Sequence, residues 1–175
     1  MPNWVYSEVT LAASYEEFQY FLARDESDPE YPCDIFRFNL HRLFPERFGP
    51  EDACGYEAWD YDWMVDHTGS KWNPKVDHVA SSGGEILICF KSAWSPSNLL
   101  LERLHQKTGW KIHNEFEEEA LDFEGSFHCE NGICAAQLRP RRPECSFCEL
   151  NFPREMLDEE TGECPKCRRS DLRHL

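Results

Sequence analysis

Between Val5 and Leu11 the chain alternates β-branched or apolar residues with polar ones, the period-two pattern of a strand with one buried face. A helix is predicted directly after it. Ser14-Tyr15-Glu16-Glu17 has the form of a capping box, and Phe18, Phe21 and Leu22 then supply one apolar face. Residues 25 to 55 lose all periodicity: their prolines, charges, Cys33 and Cys54 predict a long irregular insertion. Ile35, Phe36, Phe38, Leu40, Leu43 and Phe44 are available to pin it to a core. Tyr56, Trp59 and Trp63 return at helical intervals, which predicts a second, aromatic-faced helix over 57 to 67.

Val76 to Ala80 and Glu85 to Lys91 flank Ser81-Ser82-Gly83-Gly84, which predicts an antiparallel hairpin. Ser95 as N-cap and Pro96 at the first helical position predict a helix whose buried face is Leu100, Leu101 and Leu104 and whose end is Gly109. A strand follows over 110 to 119. Glu124 to Glu130 and Ile133 to Leu138 then form a hairpin around Asn131-Gly132, the dipeptide that best tolerates a type I′ turn. The order β-α-(insertion, α)-β-β-α-β plus a terminal hairpin is that of an α+β protein with a ferredoxin-like split β-α-β sheet.

At Leu138-Arg139-Pro140-Arg141-Arg142-Pro143 the pattern stops, because two prolines remove donors and restrict the residues before them. This divides the chain into a body over 1 to 138, an Arg/Pro linker over 139 to 143 and a small module over 144 to 175. Cys145 and Cys148, then fifteen residues, then Cys164 and Cys167 make two Cys-x-x-Cys turns, a spacing that wraps one tetrahedral zinc ion. Phe147, Leu150, Phe152, Met156 and Leu157 are too few to fold the module by burial, so one structural Zn²⁺ and the fold of this zinc ribbon are a single equilibrium. Two disulfides or four unrelated thiols are the competing readings. A catalytic zinc is disfavoured because four thiolates close the coordination shell.

With 175 residues, 41% apolar and 14% aromatic, the chain can build a real core beside that module. Its start lacks a basic segment followed by an apolar run, and no stretch is long enough to span a bilayer, so a soluble cytoplasmic protein with no membrane partner is expected. Nine cysteines, an odd count, fit reduced thiols and metal better than a secreted disulfide scaffold. The net charge of −15 is unevenly placed: residues 1 to 138 carry 25 acidic and 10 basic side chains, and residues 139 to 175 carry eight of each. A body so charged repels phosphate backbones and can instead imitate one; plain solubility explains the same acidity.

Met1-Pro2-Asn3-Trp4, Asp62-Trp63 with Gly69-Ser70-Lys71-Trp72-Asn73, Ala93-Trp94-Ser95-Pro96, and Glu119 through Phe123-Glu124-Gly125 into Asn131-Gly132 occur in that order. On these motifs, residues 1 to 138 resemble the YubB-like, ferredoxin-like-domain proteins of bacteriophages and conjugative plasmids. The resemblance implies an accessory protein of a mobile element, in a bacterial host cell, with no established enzymatic activity and no cofactor. Asp25 to Cys54 and the zinc ribbon lie outside it.

Glu115, Glu117, Glu118, Glu119, Asp122 and Glu124 form the densest acidic stretch, on a strand and the turn after it. Alternate strand residues lie about 6.8 Å apart on one face, close to the spacing of successive phosphates, so this stretch could occupy the basic channel of a host nuclease or surveillance complex. A solvated edge strand kept monomeric by charge is the plainer account. Arg139, Arg141, Arg142, Lys166, Arg168 and Arg169 could hold nucleic acid from the C-terminal region, or could offset the charge of four thiolates on zinc. Asp60, Asp62, Asp66 and His67 could hold a divalent cation, though an acidic solvent face opposite Trp59 and Trp63 explains the same pattern.

Cys129 and Cys134 face each other across the hairpin, where a redox pair is conceivable and two packed thiols are expected. Trp72 and Trp94 are expected in the core. His41, His78, His105, His113 and His128 show no partners in sequence, Ser95 lacks a nucleophile turn, no phosphate-binding loop is present, and no small-molecule substrate is evident. Three functions remain: an anti-defence or antirestriction factor engaging a basic host protein, a nucleic-acid-binding accessory protein acting through the ribbon, and a metal-dependent enzyme using Asp62, Asp66 and His67.

Overall fold

The alternation at the start of the chain becomes β1 (Trp4–Leu11), an inner strand of an eight-stranded sheet. The computed structural model describes residues 3–24, 36–49, 60–119 and 123–140, and further on residues 157, 158, 161, 163 and 165. The chain divides into two units, Met1–Arg139 and Pro140–Leu175.

The other strands are β2 (Leu22–Arg24), β3 (Phe36–Phe38), β4 (Lys75–Ser82), β5 (Glu85–Ala93), β6 (Ile112–Glu118), β7 (Phe123–Glu130) and β8 (Ile133–Pro140), and their order is β2-β3-β4-β5-β1-β6-β7-β8. β1 runs antiparallel to both neighbours, from Trp4 opposite Ala93 to Leu11 opposite Ile86 on β5, and from Val5 opposite Glu118 to Leu11 opposite Ile112 on β6. This register puts Val5, Val9 and Leu11 with Ile86, Ile88, Phe90, Ile112 and Phe116 on one buried face. Tyr6, Glu8, Glu115 and Glu117 take the other face, because successive strand residues point to opposite sides. The protein is thus α+β, built on one antiparallel sheet.

Five helices accompany the sheet among the described residues: α1 (Tyr15–Gln19), α2 (Leu40–Leu43), α3 (Pro45–Phe48), α4 (Tyr61–Thr68) and α5 (Asn98–Thr108). Ser14 forms the expected capping box, its Oγ accepting from the Glu17 amide while the Glu17 carboxylate accepts from the Ser14 amide. Those bonds from Ser14 hold the Glu17 carboxyl below its ordinary pKa. Leu100, Leu101 and Leu104 are fully buried, and Gly109 closes α5 in the left-handed conformation at φ 73°. No helix among the described residues is long and apolar enough to cross a membrane.

Several expectations need correction. α1 stops at Gln19, and Leu22, assigned above to its apolar face, begins β2 instead. The described part of the expected irregular insertion is ordered: β3, α2 and α3 form within it, β3 pairs with β2 and β4, and Phe38 packs edge-on against both Phe18 and Phe90. Three-residue strands are too short for alternation to be read. α5 begins after Ser97, not Ser95, because the Ser95 hydroxyl donates to the Gly69 carbonyl and leaves no cap for the helix. Asp60 caps α4 by accepting from the Trp63 amide, while Tyr56 and Trp59 lie outside the described residues. In the β4–β5 hairpin Ser81 and Ser82 belong to the strand, and Gly83-Gly84 alone turns the chain, at φ 62° and 84°.

The β7–β8 hairpin turns at Asn131 and Gly132, both at positive φ, and a buried histidine holds it down. His105 on α5 donates through Nδ1 to the Trp110 carbonyl at 2.6 Å, and its Nε2 accepts from the Gly132 amide at 3.1 Å. Leucine at position 105 would fill the space and strand both partners. His105→Leu is expected to cost about 1–2 kcal/mol in a denaturant titration and to speed hydrogen exchange at Gly132; unchanged exchange would remove the latch.

In the second unit, the Asp158 amide donates to the Glu163 carbonyl at 3.0 Å and Asp158 Oδ1 accepts from the Thr161 amide at 3.0 Å. Cys145, Cys148, Cys164, Cys167, Arg141, Arg142, Lys166, Arg168 and Arg169 lie outside the described residues. Arg139, exposed, is the last residue but one of β8.

Candidate functional site

The helices and core cover one side of the sheet, and the strands offer an acidic field on the other. Glu8 on β1 stands directly opposite Glu115 on β6, and Glu117 stands between Tyr6 on β1 and Glu124 on β7. Residues so paired have Cβ atoms about 4.5–5.5 Å apart, and like charges placed there destabilise a sheet. Cations and histidines also stand on this face: His113 Nε2 meets Glu115 Oε1 at 2.9 Å, Lys111 Nζ meets Glu130 Oε1 at 3.3 Å, and Lys91 lies 4.9 Å over the Tyr6 ring. Cys89 reports the same field. Its thiol is pushed above its ordinary pKa by partial burial first, then by Glu8 and Asp77.

The acidic stretch read from sequence therefore divides. Glu115 and Glu117 are exposed on the open face and Glu124 is half-buried beside them. Glu119 is exposed just past β6, its amide donating to the Trp4 carbonyl at 2.8 Å. Glu118 is a correction: strand parity turns it to the opposite side, where it is 2% exposed beside Val5. Asp122 lies outside the described residues. Glu8, from a distant strand, was missed, since only the register brings it to Glu115.

Where β1 begins and β5 ends, aromatic rings adjoin this face. Trp4 packs on Trp72 at 5.9 Å between centroids, and Trp94 meets Tyr61 at 6.1 Å. Lys71 Nζ lies 4.7 Å from the Trp72 ring centre, 4.8 Å from that of Trp94 and 5.9 Å from that of Tyr61. The loop carrying Lys71 is fixed on both sides: buried Ser70 accepts through Oγ from the Ala93 amide at 3.0 Å, and a Cβ at Gly69 would come within 3.0 Å of the Pro96 carbonyl. Trp94, expected in the core, is instead 46% exposed. It sits at φ 71°, a region few non-glycine residues adopt, with its amide donating to Asn3 O at 2.8 Å. The motifs at residues 3–4, 69–73 and 93–96 thus meet at one end of the sheet.

The acidic helix cluster is drawn apart. Asp60 is spent on capping α4 and faces Arg47 at 3.4 Å, and His67 stacks on Trp63 while its Nδ1 donates to the Trp63 carbonyl at 2.9 Å. Asp62 and Asp66 remain exposed. Among the described residues no three of His, Cys, Asp and Glu are placed to hold a metal ion. Cys129 and Cys134 also need correction, for they form a disulfide across the hairpin, with Cα atoms 4.1 Å apart, and are not packed thiols. The two-residue turn sets them opposite each other.

No family model matches the chain, and no solved structure matches it. An uncharacterized protein of Acanthamoeba polyphaga mimivirus is 30% identical over 82 residues, which is 43% of this chain and 31% of that protein. The chain therefore spans less than a third of that viral relative's length.

Proposed function

We propose that this chain is a non-enzymatic binding protein of a mobile genetic element. It acts in the cytoplasm of a bacterial host as an anti-defence or antirestriction factor, engaging a basic, nucleic-acid-handling host protein through its acidic sheet face. The observation that carries this reading is the direct opposition of Glu8 with Glu115 and of Glu117 with Glu124. Solubility needs charge but not like charges paired across strands, an arrangement that costs stability and is repaid when a cationic surface covers it. The central order β4-β5-β1-β6, with α5 joining β5 to β6, supports a ferredoxin-like split β-α-β body, and with it the YubB-like resemblance. Similarity over 82 residues to a protein of Acanthamoeba polyphaga mimivirus supports a viral origin only, with no bearing on a bacterial host.

One structural zinc held by Cys145, Cys148, Cys164 and Cys167 completes this reading. The two Cys-x-x-Cys pairs, fifteen residues apart, are what support it. A second reading has the ribbon and Arg139, Arg141, Arg142, Lys166, Arg168 and Arg169 hold nucleic acid, favoured by the charge balance of residues 139–175 against the acidic body.

The test uses the full chain and a variant with Glu8→Gln, Glu115→Gln and Glu117→Gln. The wild type should retain a basic host protein at low salt and release it as salt rises, and the variant should lose it while melting no lower. Equal retention by both proteins sinks the acidic-face reading. A labelled DNA shifted by the wild type, with no protein retained, would favour the ribbon instead.

A further inference from the structure

An open cleft of about 720 Å³ lies where the turn after α1 meets α2, α3 and the last turn of α5. Tyr20 and Phe21 line it from the turn, His41 and Arg42 from α2, and Lys107 from α5. None of its described walls comes from β1, β6 or β7, which carry the acidic face. We propose that this cleft binds the phosphate group of a small molecule, with Arg42 and Lys107 as its charged contacts and His41 beside them. The inference is independent of the acidic-face reading.

Charge placement carries the argument. Residues 1 to 138 have only 10 basic side chains against 25 acidic, yet two of the ten line this one cleft, and no carboxylate lines it among the described residues. The cations nearby are matched: Arg47 faces Asp60 at 3.4 Å, and Arg103 meets Glu46 at 2.5 Å while its Nε donates to the Leu43 carbonyl at 2.8 Å. Lys107 has no ion pair among the described residues, and it follows Arg103 by one helical turn, where like charges repel. An anion in the cleft offsets that repulsion. Arg42 is positioned by Tyr20, donating to its carbonyl and lying 4.1 Å from the centre of its ring, and a planar guanidinium matches the oxygens of a phosphate. His41 is fixed on the wall by its Nδ1, which donates to the Gly49 carbonyl at 3.2 Å. A phosphate monoester carries a charge of about −1.5 to −2 at pH 7, so it satisfies two cations where a carboxylate satisfies one. The Tyr20 ring, 56% exposed, and Phe21, edge-on to it at 5.1 Å, give the rest of the molecule an apolar wall.

The experiment is calorimetric titration of the full chain at low salt with adenosine 5′-monophosphate, inorganic phosphate, adenosine and glutamate. Both phosphate-bearing probes should bind, and adenosine and glutamate should not. Tighter binding of the monophosphate than of inorganic phosphate assigns an ester as the ligand, and equal binding assigns free phosphate; either supports the site. Lys107→Gln, at an exposed position that leaves the melting temperature unchanged, should weaken binding about tenfold, and Lys107→Glu should abolish it. Lys111→Gln, which removes a cation paired with Glu130 outside the cleft, should leave it as it was. The variant with Glu8→Gln, Glu115→Gln and Glu117→Gln should keep phosphate binding even where it loses the basic partner, so the two readings fail separately. The proposal is overturned if neither phosphate probe binds, if adenosine or glutamate binds as tightly as they do, or if Lys111→Gln costs as much as Lys107→Gln. A single-stranded oligonucleotide without terminal phosphate that binds more tightly than the monophosphate, and is lost in Lys107→Gln, would overturn it in favour of nucleic acid.

Discussion

Gly125→Val should lower the stability of the body by about 3 kcal/mol or more, read as a shift of its denaturant midpoint at constant slope. Gly125 lies on β7 opposite Phe116 on β6. A Cβ added there would run into the backbone carbonyl of Gln137 on β8 and would come within 2.6 and 2.8 Å of Phe116 Cζ and Cε2. The Phe116 ring belongs to the buried core and meets Phe123 edge-on at 6.5 Å, so it has little room to yield. The Gln137 carbonyl is main chain and moves only if β8 moves. Space rather than dihedral angle is the constraint, which sets Gly125 apart from Gly132, where φ is 78° and nothing lies within 4 Å. Gly132→Ala should therefore cost less. Adding Phe116→Leu to Gly125→Val should recover part of the loss, a coupling expected of residues in contact. Wild-type stability in Gly125→Ala would contradict this account.

Local signals in the sequence carried most of the body. The alternation of β1, the capping box at Ser14, the leucines of α5, Gly109, and the two hairpin turns each depend on residues within a few positions of one another, and each is found in the structure. What failed was decided at long range. Ser95 and Pro96 look like a helix start, yet Ser95 is used by Gly69, on a loop twenty-six residues away. Phe36 and Phe38 look like stray apolar residues until β4 and Phe90 receive them.

The candidate site divides along the same line. Strand parity, knowable from a segment alone, puts Glu115 and Glu117 together, and the same parity should have removed Glu118. The pairing of Glu8 with Glu115 requires the register of β1 on β6. The rings around Lys71 come from the start of β1, α4, the loop after it and the end of β5, so no window of sequence contains them. Trp94 looked like core because tryptophan is usually mostly buried, and only the backbone at φ 71° turns it outward.

The largest effect is expected of the proposed zinc ribbon, whose folding and metal binding would be one equilibrium. Elemental analysis should find about one zinc per chain, and Cys164→Ser should release it and unfold residues 144–175, because structural zinc supplies an apparent 10–16 kcal/mol to such modules, roughly the whole stability of an ordinary domain. Phe147, Leu150, Phe152, Met156 and Leu157 are too few to replace that term by burial. The hydrogen bonds among Asp158, Thr161 and Glu163 are each worth only about 1 kcal/mol, too little to hold a module together. The body is a separate unit ending at Arg139 with its own core. A strong chelator should therefore expose residues beyond the linker to protease while the denaturant midpoint of residues 1–139 stays in place. Binding to a basic partner then separates the two functional readings: it should survive chelation if the acidic face alone makes the contact, and be lost if the ribbon shares it. A purified chain without zinc, or one whose four cysteines are oxidised in pairs, would remove the zinc ribbon and leave the acidic body to act by itself.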